Sequence, residues 1–128
     1  MQKKWRLLLL LVCSTSSAFT QPYPTGRRSL TFTDTARGNR TIPTELFYPA
    51  AAAGNNTAIA PGTEKFSLVV FGHGFLIPAG SYSWLGDSLS RQGYIVAFPA
   101  TEGTISPNHT AFGEDIAFLC RHLPTLHD

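Results

Sequence analysis

The feature that most constrains the fold is an unbroken apolar run at residues 67–71 (SLVVF), which ends at Gly72-His73-Gly74. A strand with one solvent-facing side alternates apolar and polar residues. A continuous run is typical of a strand covered on both faces, as in a parallel sheet between helices. A second such run, residues 94–98 (YIVAF), ends at Pro99. The segment between the two runs has helical character, so the order predicts a parallel βαβ unit.

Helical spacing predicts two helices in this half of the chain. The first covers residues 83–92, with Ser81 or Ser83 as its N-cap and Gly93 just past its end. The second follows Pro107 and ends at Pro124, which completes a βαβα order. The apolar residues of these helices are Trp84, Leu85 and Leu89 in the first and Phe112, Ile116, Leu119 and Leu123 in the second.

The preceding segment predicts an antiparallel hairpin. Leu30, Phe32 and Asp34 alternate with threonines, and Arg37-Gly38-Asn39 has turn chemistry. Residues 42–48 form the returning strand, and Pro43 restricts it to a sheet edge or to the first residues of the strand. Residues 49–63 are expected to form a surface loop. Residues 19–28 are expected to form an irregular lead-in that includes the solvated pair Arg27-Arg28.

The N-terminus has the pattern of a secretory signal peptide. Lys3, Lys4 and Arg6 precede the apolar stretch at residues 7–12, and the small residues Ser16-Ser17-Ala18 provide a cleavage site. The apolar stretch is shorter than the ~20 residues that span a bilayer, so no membrane span is expected. We therefore expect a signal peptide at residues 1–18, a domain at residues 19–128, and a secreted or periplasmic location. Lipidation of Cys13 is the weaker alternative, because Val12 precedes it where a small residue is usual.

Length and charge narrow the possible partners. A chain of 128 residues allows one domain. Its net charge of +2 depends on three basic residues among the first six. The rest of the chain has seven basic and eight acidic residues and is therefore close to neutral. No nucleic-acid partner is therefore expected. Removal of the signal would leave Cys120 as the single cysteine, which is consistent with a buried thiol, an intermolecular bridge or a missing partner.

Gly72-His73-Gly74 is the candidate functional motif. Glycines flanking a histidine after a buried strand allow a sharp turn in which a backbone N–H approaches a ligand. In esterases a post-strand N–H of this kind forms half of an oxyanion hole, and here the donor would be the Phe75 N–H, with His73 and Gly74 shaping the loop. The tripeptide alone favours a plain strand-end turn whose histidine bonds nearby backbone. A zinc site is the weaker alternative, since His73 stands alone and the His122–His127 spacing matches no standard ligand pattern.

From Asp34 onward the chain resembles the α/β-hydrolase superfamily, in the branch of platelet-activating-factor acetylhydrolases, dienelactone-hydrolase-like proteins and related secreted esterases. The resemblance implies an α/β fold and serine carboxylic-ester hydrolysis without a metal or cofactor. It covers only the N-terminal part of the family's domain and stops before the nucleophile elbow, since no G-x-S-x-G occurs here. Gly72 stands where relatives often carry Ser, and a small residue is expected to serve equally. The matching stretches are Asp34 with Arg37 and Arg40, residues 42–50, 69–75 and 93–99, and the helix with Phe112, Asp115, Phe118 and Leu119.

The remaining polar residues do not supply a catalytic triad. Ser83, Asp115 and His122 have the right order, but Asp115 and His122 share one predicted helix and no strand-to-helix turn presents Ser83. Glu114-Asp115 is interpreted as a favourable pair at a helix start, and Glu102 as a loop acid. Three N-x-T sequences, at Asn39, Asn55 and Asn108, fit glycosylation acceptors in a secreting eukaryote.

Three functional hypotheses follow. In the first, the chain is the N-terminal fragment of an exported ester hydrolase, with half of an oxyanion hole, no triad and no activity alone. In the second, it is a small secreted module that binds a ligand near His73 and Trp84. In the third, it is one half of a split hydrolase that a C-terminal polypeptide completes. The first and third hypotheses require the strand at residues 68–71 to lack one neighbour within this chain.

Overall fold

A computed structural model describes residues 22–62 and 65–124. The predicted signal peptide, Cys13 and His127 lie outside these residues. The described part is a mixed α/β domain with five strands and two α-helices. The strands are β1 (Thr25–Asp34), β2 (Arg40–Pro49), β3 (Gly54–Asn55), β4 (Ser67–Val70) and β5 (Tyr94–Pro99), and the helices are α1 (Ser83–Arg91) and α2 (His109–His122), with 3₁₀ turns at Thr35–Arg37 and Ala79–Tyr82.

The five strands form one sheet in the order β3-β1-β2-β5-β4. The hairpin β1–β2 is antiparallel, β2 pairs antiparallel with β5, and β4 lies parallel to β5. The predicted hairpin and the parallel βαβα unit are therefore both confirmed. The loop after β2 also contributes β3, a two-residue strand parallel to β1.

The two apolar strands differ in burial because they differ in neighbours. Strand β5 lies between β2 and β4, and residues 95–98 are all buried. Strand β4 pairs only with β5 among the described residues, and Leu68, Val69 and Val70 are half-buried. Their side chains still point to both faces, with Leu68 and Val70 toward α2 and Val69 toward α1. The prediction of two covered faces is correct for both strands, but only β5 is a fully buried central strand.

Each helix covers one face of the sheet. On the α2 face, Leu119 packs with Ile42, Leu46 and Ile95. On the α1 face, Leu85 and Leu89 pack on a cluster that contains Phe47 and Phe98, whose rings meet edge to face at 5.5 Å. Neither helix in the described region has the length and apolarity that a membrane crossing requires.

The lead-in segment is more ordered than the sequence predicted. Strand β1 begins at Thr25, so Arg27 and Arg28 lie within the sheet rather than in a solvated tail. The Arg27 guanidinium stacks 5.0 Å from the centre of the Phe47 ring and binds the Asp87 carboxylate at 2.6 Å. The ring contact joins β1 to β2 and the ion pair joins β1 to α1, so Arg27 has partners on two neighbouring elements.

Two details of α1 also differ from expectation. No side chain caps its start: Tyr82 occupies the N-cap position, while the Ser83 hydroxyl donates to the Gly80 carbonyl oxygen. Trp84 is 65% exposed rather than packed with Leu85 and Leu89. Gly93 has a φ of +93°, as predicted for the residue that ends this helix.

Pro43 lies in an internal strand, so of the two predicted alternatives the sheet edge is wrong and the position among the first residues of the strand is correct. Strand β2 has β1 on one side and β5 on the other. The β5 pairing begins only at Thr44, and the Pro43 carbonyl oxygen accepts from the Ala100 N–H just beyond β5. The missing proline N–H therefore falls at the end of the β2–β5 ladder, beyond its last paired residues.

Gly86 gives the first testable prediction, because α1 approaches β2 there without a side chain. A Cβ at Gly86 would lie 2.5 Å from Cγ of Phe47, which is buried and has no room to move. Gly86→Ala should lower the free energy of unfolding by about 1–3 kcal/mol, measured by denaturant titration.

Gly113→Ala is the matched control in α2, where an added Cβ meets nothing within 4 Å. That substitution should raise the free energy of unfolding, by up to about 1 kcal/mol, through helix propensity alone. Equal effects of the two substitutions would contradict the close packing of α1 on Phe47.

Candidate functional site

The candidate loop leaves the sheet immediately after β4. The Phe71 N–H still donates to the Ala97 carbonyl oxygen at 2.9 Å, and Gly72 then passes close to α2. A Cβ on Gly72 would lie 3.0 Å from Cδ1 of Ile116 and 3.2 Å from the Phe112 ring. A side chain at this position would therefore require Cδ1 of Ile116, the flexible end of that side chain, to shift by a few tenths of an ångström, and the expectation that a small residue serves equally stays a prediction.

The next four residues form a tight turn. The Ile77 N–H donates to the Gly74 carbonyl oxygen at 3.1 Å, and Leu76 has a φ of +55°. A positive φ is uncommon for a bulky residue and marks local strain. The Gly74 N–H donates to Oη of Tyr82 at 3.1 Å. The turn is therefore held by hydrogen bonds to Gly74 and not by apolar packing of its own side chains.

Phe75 occupies the exposed tip of this turn. The residue is 60% exposed, and its N–H donates to no group in the described part of the chain. An unpartnered N–H at the carboxyl end of a parallel strand is geometrically available to a ligand oxygen. This N–H is the one that the sequence analysis predicted as an oxyanion donor. Its role as a donor stays a prediction.

His73 connects the loop after β4 with the loop after β5. Its Nδ1 lies 3.0 Å from the Gly74 carbonyl oxygen, and its Nε2 lies 2.8 Å from the Thr101 carbonyl oxygen. The ring also packs against Phe112 of α2, with centroids 4.7 Å apart. A neutral imidazole donates through one nitrogen at a time, whereas an imidazolium donates through both. In either form His73 lies between two backbone carbonyls.

Asp115 is the centre of a buried ion-pair network, and its interpretation as a helix-start charge is wrong. The residue is 0% exposed, and both carboxylate oxygens accept hydrogen bonds. Oδ1 accepts from Nη2 of Arg37 at 2.6 Å and from Nε of Arg40 at 2.8 Å. Oδ2 accepts from Nη2 of Arg40 at 2.7 Å and from the Thr101 hydroxyl at 2.6 Å. Two guanidiniums and one hydroxyl thus compensate a carboxylate that has no contact with water.

Three further acids extend the network, of which the exposed Glu114 accepts from Nη1 of Arg37 at 3.2 Å. Glu102, expected to be a simple loop acid, accepts from Arg40 at 2.9 Å and from the Asn108 N–H at 2.6 Å, with a φ of +60°. Asp34 accepts from Nε of Arg37 at 2.7 Å and caps the 3₁₀ turn through the Ala36 N–H. The network therefore joins the end of the β1–β2 hairpin, the loop after β5 and helix α2.

The network lowers the pKa of Asp115, Glu102 and Asp34. Burial raises the pKa of Asp115, but hydrogen bonds from Arg40, Thr101 and Arg37 outweigh it, so the pKa lies below the ordinary 3.8. The Asn108 N–H and then Arg40 lower the pKa of Glu102 from 4.5. The Arg37 hydrogen bond lowers the pKa of Asp34. All three carboxylates are therefore charged at neutral pH.

The other candidate residues have separate local partners. The Ser83 hydroxyl contacts the Gly80 carbonyl oxygen, and the His122 ring stacks on Phe118 at 3.9 Å, with Nδ1 2.9 Å from the Phe118 carbonyl oxygen. Cys120 is a free, exposed thiol on α2, so its interpretation as a buried thiol is wrong. Residues 22–62 and 65–124 contain no group of three or more His, Cys, Asp or Glu side chains arranged to hold a metal ion.

Comparison with known proteins assigns the class. The structure is similar to that of a ferulic acid esterase from Streptomyces cinnamoneus, with a TM-score of 0.53 and 22% identity, over 65% of this chain and 35% of that one. At this identity the likeness shows the fold, which is that of an esterase-like α/β-hydrolase domain. The match spans about a third of the esterase's length.

The family follows from the sequence. Residues 20–104 match the family model for platelet-activating factor acetylhydrolase, isoform II, and the chain belongs to that family. The predicted resemblance to the acetylhydrolase branch is thereby confirmed. No curated protein matches the chain by sequence.

The network predicts how stability depends on pH. A carboxylate with a lowered pKa stabilises the folded state above its unfolded pKa, and this contribution is lost as pH falls through the folded pKa. The free energy of unfolding should therefore be flat above about pH 5 and fall in acid. Asp115→Asn should cost about 3–5 kcal/mol at pH 7, because it unbalances a buried charge cluster, and should flatten the acid decline.

Asp87→Asn is the matched control, because it breaks an exposed pair with Arg27 whose side chains are 37% and 47% exposed. Its effect should be at most about 1 kcal/mol. An acid decline of equal slope in Asp115→Asn and the parent chain would contradict the assigned role of Asp115.

Proposed function

We propose that the described region is the N-terminal part of an exported serine carboxylic-ester hydrolase and that the Phe75 N–H is one of its two oxyanion donors. The observation that carries this proposal is the Phe75 N–H, which has no partner among residues 22–62 and 65–124, at the tip of a strained turn after β4. Family membership adds the reaction class, and the fold of the esterase relative is consistent with it.

The mechanism assigns one task to this chain. In the complete enzyme a serine hydroxyl, deprotonated by a histidine that a carboxylate orients, attacks the ester carbonyl carbon. The carbonyl oxygen becomes an oxyanion, which accepts from the Phe75 N–H and from the N–H that follows the serine. The histidine then protonates the departing alcohol, and water releases the acyl group by the same steps. The serine, acid and histidine of this mechanism would come from polypeptide outside the present sequence, in which no G-x-S-x-G occurs.

Two features of the described region support such a completion. The outer edge of β4 presents backbone N–H and C=O groups that no described strand pairs, and an unpaired apolar edge invites another strand. An apolar groove of about 270 Å³ also lies beside α2, over Leu30, Leu46, Phe66 and Leu68. A strand and a packed helix from a C-terminal segment, either continuous or on a second chain, would cover both.

The ligand-binding alternative receives less support. Both ring nitrogens of His73 face backbone carbonyls, so the ring has no nitrogen left for a ligand. Trp84 is largely exposed and projects from α1. The ester substrate therefore remains the proposed partner of this loop.

Replacing Phe75 tests the donor in the domain completed by the coding sequence that follows codon 128. Phe75→Pro removes the ring and the N–H, and proline suits the second position of a turn. Phe75→Ala removes the ring alone. Relative to Phe75→Ala, Phe75→Pro should lower kcat for p-nitrophenyl acetate by about 10²–10³.

Equal kcat values for the two variants would contradict the donor assignment. The 128-residue chain by itself should hydrolyse this ester no faster than buffer, since it carries no G-x-S-x-G. If the 128-residue chain hydrolyses the ester and the Phe75→Pro variant does so as well, two claims are contradicted. These are the absence of a nucleophile from this chain and the role of the Phe75 N–H.

Export is part of the same proposal and rests on the basic and apolar N-terminal pattern. Expression in a secreting host should give a mature protein in the medium or periplasm whose N-terminal sequence begins at Phe19. Replacing Leu8 and Leu9 by Glu should block processing, whereas replacing the exposed Leu76 should not. An intact Met1 on exported material would contradict the cleavage.

A further inference from the structure

We propose that Asp115 is a positioning residue that orients the Phe75 N–H through Thr101 and His73. The inference rests on the proposed role of the Phe75 N–H and adds the side chains that hold it in place. A continuous path links the groups: the Thr101 hydroxyl donates to Oδ2 of Asp115, the Thr101 carbonyl faces Nε2 of His73, and Nδ1 of His73 faces the Gly74 carbonyl.

Peptide geometry converts the last contact into control of the donor. The Gly74 carbonyl and the Phe75 N–H belong to one peptide group, which is planar and trans, so they point in opposite directions. Any interaction that fixes the direction of the carbonyl fixes the direction of the N–H. Nδ1 of His73 and the Ile77 N–H both lie within hydrogen-bond distance of that carbonyl oxygen, at 3.0 and 3.1 Å.

The turn needs such an anchor because its own packing is weak. Phe75, Leu76 and Ile77 are all exposed, and Leu76 has a strained backbone. Among the turn residues Gly74–Ile77, Gly74 alone has both backbone groups in contact with side chains. Its N–H donates to Oη of Tyr82, and its carbonyl oxygen faces Nδ1 of His73. Loss of the His73 contact would leave the Ile77 N–H as the single described group that holds the Gly74 carbonyl, and the Gly74–Phe75 peptide would then be less firmly oriented.

The other end of the path is rigid. Asp115 is fully buried and accepts from Arg37 and Arg40, which flank the hairpin turn. Thr101 is thereby held relative to the sheet, and its carbonyl presents a fixed acceptor to His73. A buried network with every member satisfied has little freedom to shift, which makes it suitable for orienting a loop.

The test measures amide exchange of the full chain by NMR, with Gly74 and Ile77 as reporters because their N–H groups close the turn. Thr101→Val removes the hydroxyl that binds Asp115 and should speed exchange at both reporters about tenfold. Thr101→Ser keeps the hydroxyl and should restore the parent rates. Thr104→Val, in the same loop and exposed, is the matched control and should change neither rate.

A double-mutant cycle tests whether Thr101 acts through His73. His73→Ala alone should speed exchange at the reporters at least as much as Thr101→Val, and the double variant should match His73→Ala. Unchanged reporters in Thr101→Val, or additive effects in the double variant, would overturn the proposal. Faster exchange spread equally over the β1–β2 hairpin would also overturn it, because that pattern indicates a structural role alone.

No ester is used in this experiment, so its outcome is separable from the proposed activity. If the Gly74 and Ile77 exchange rates respond as expected but the completed domain is inactive, the positioning path is supported and the proposed ester hydrolysis is contradicted. If the completed domain is active but the two exchange rates do not respond, the positioning path is contradicted and the proposed ester hydrolysis is supported.

Discussion

The structure depends on one electrostatic arrangement, a buried carboxylate shared by two guanidiniums. Asp115 on α2 meets Arg37 and Arg40 from the end of the β1–β2 hairpin, at distances of 2.6–2.8 Å. Apolar contacts hold α2 to the sheet without specifying where along the sheet it lies. Directional hydrogen bonds add this specification, because a displaced helix would leave an uncompensated charge in the interior. The position of every loop that touches α2, including the one that carries His73, follows from this contact.

Much of the architecture was predictable because burial leaves a periodic trace in the sequence. The apolar runs at residues 67–71 and 94–98 predict the parallel pair, and the spacing of Phe112, Leu119 and Leu123 predicts α2. The greater burial of β5 was not predictable. The burial of a strand depends on how many neighbouring strands it has. The neighbour that buries β5 is β2, whose paired residues are some fifty positions earlier in the sequence. Arg27 was missed for a related reason, since its partners Phe47 and Asp87 are remote along the chain.

The loop of the candidate site was predicted from the sequence. The side chains that hold this loop in place were not. The glycines around His73 indicated a loop that approaches a ligand, and the structure places the Phe75 N–H at the tip of a turn. The role of Asp115 was missed because acids near a helix start usually face solvent. A signal was nevertheless present: Asp115 stands three residues after Phe112 and four before Leu119, on the apolar stripe of the helix. A charged residue on such a stripe needs a buried partner of opposite sign, but the sequence did not show that Arg37 and Arg40, more than seventy residues away, would supply it.

The pairing pattern of the sheet has a consequence for the order in which the chain acquires structure. The β1–β2 hairpin joins residues close in sequence, whereas the β2–β5 ladder must close a loop spanning residues 50–93. Closure entropy makes local pairing fast and distant pairing slow. A nascent polypeptide leaving the ribosome can thus complete the hairpin while the residues of β5 are still untranslated. Because Asp115 is synthesised after both arginines, we expect α2 to dock on the sheet after the hairpin has formed.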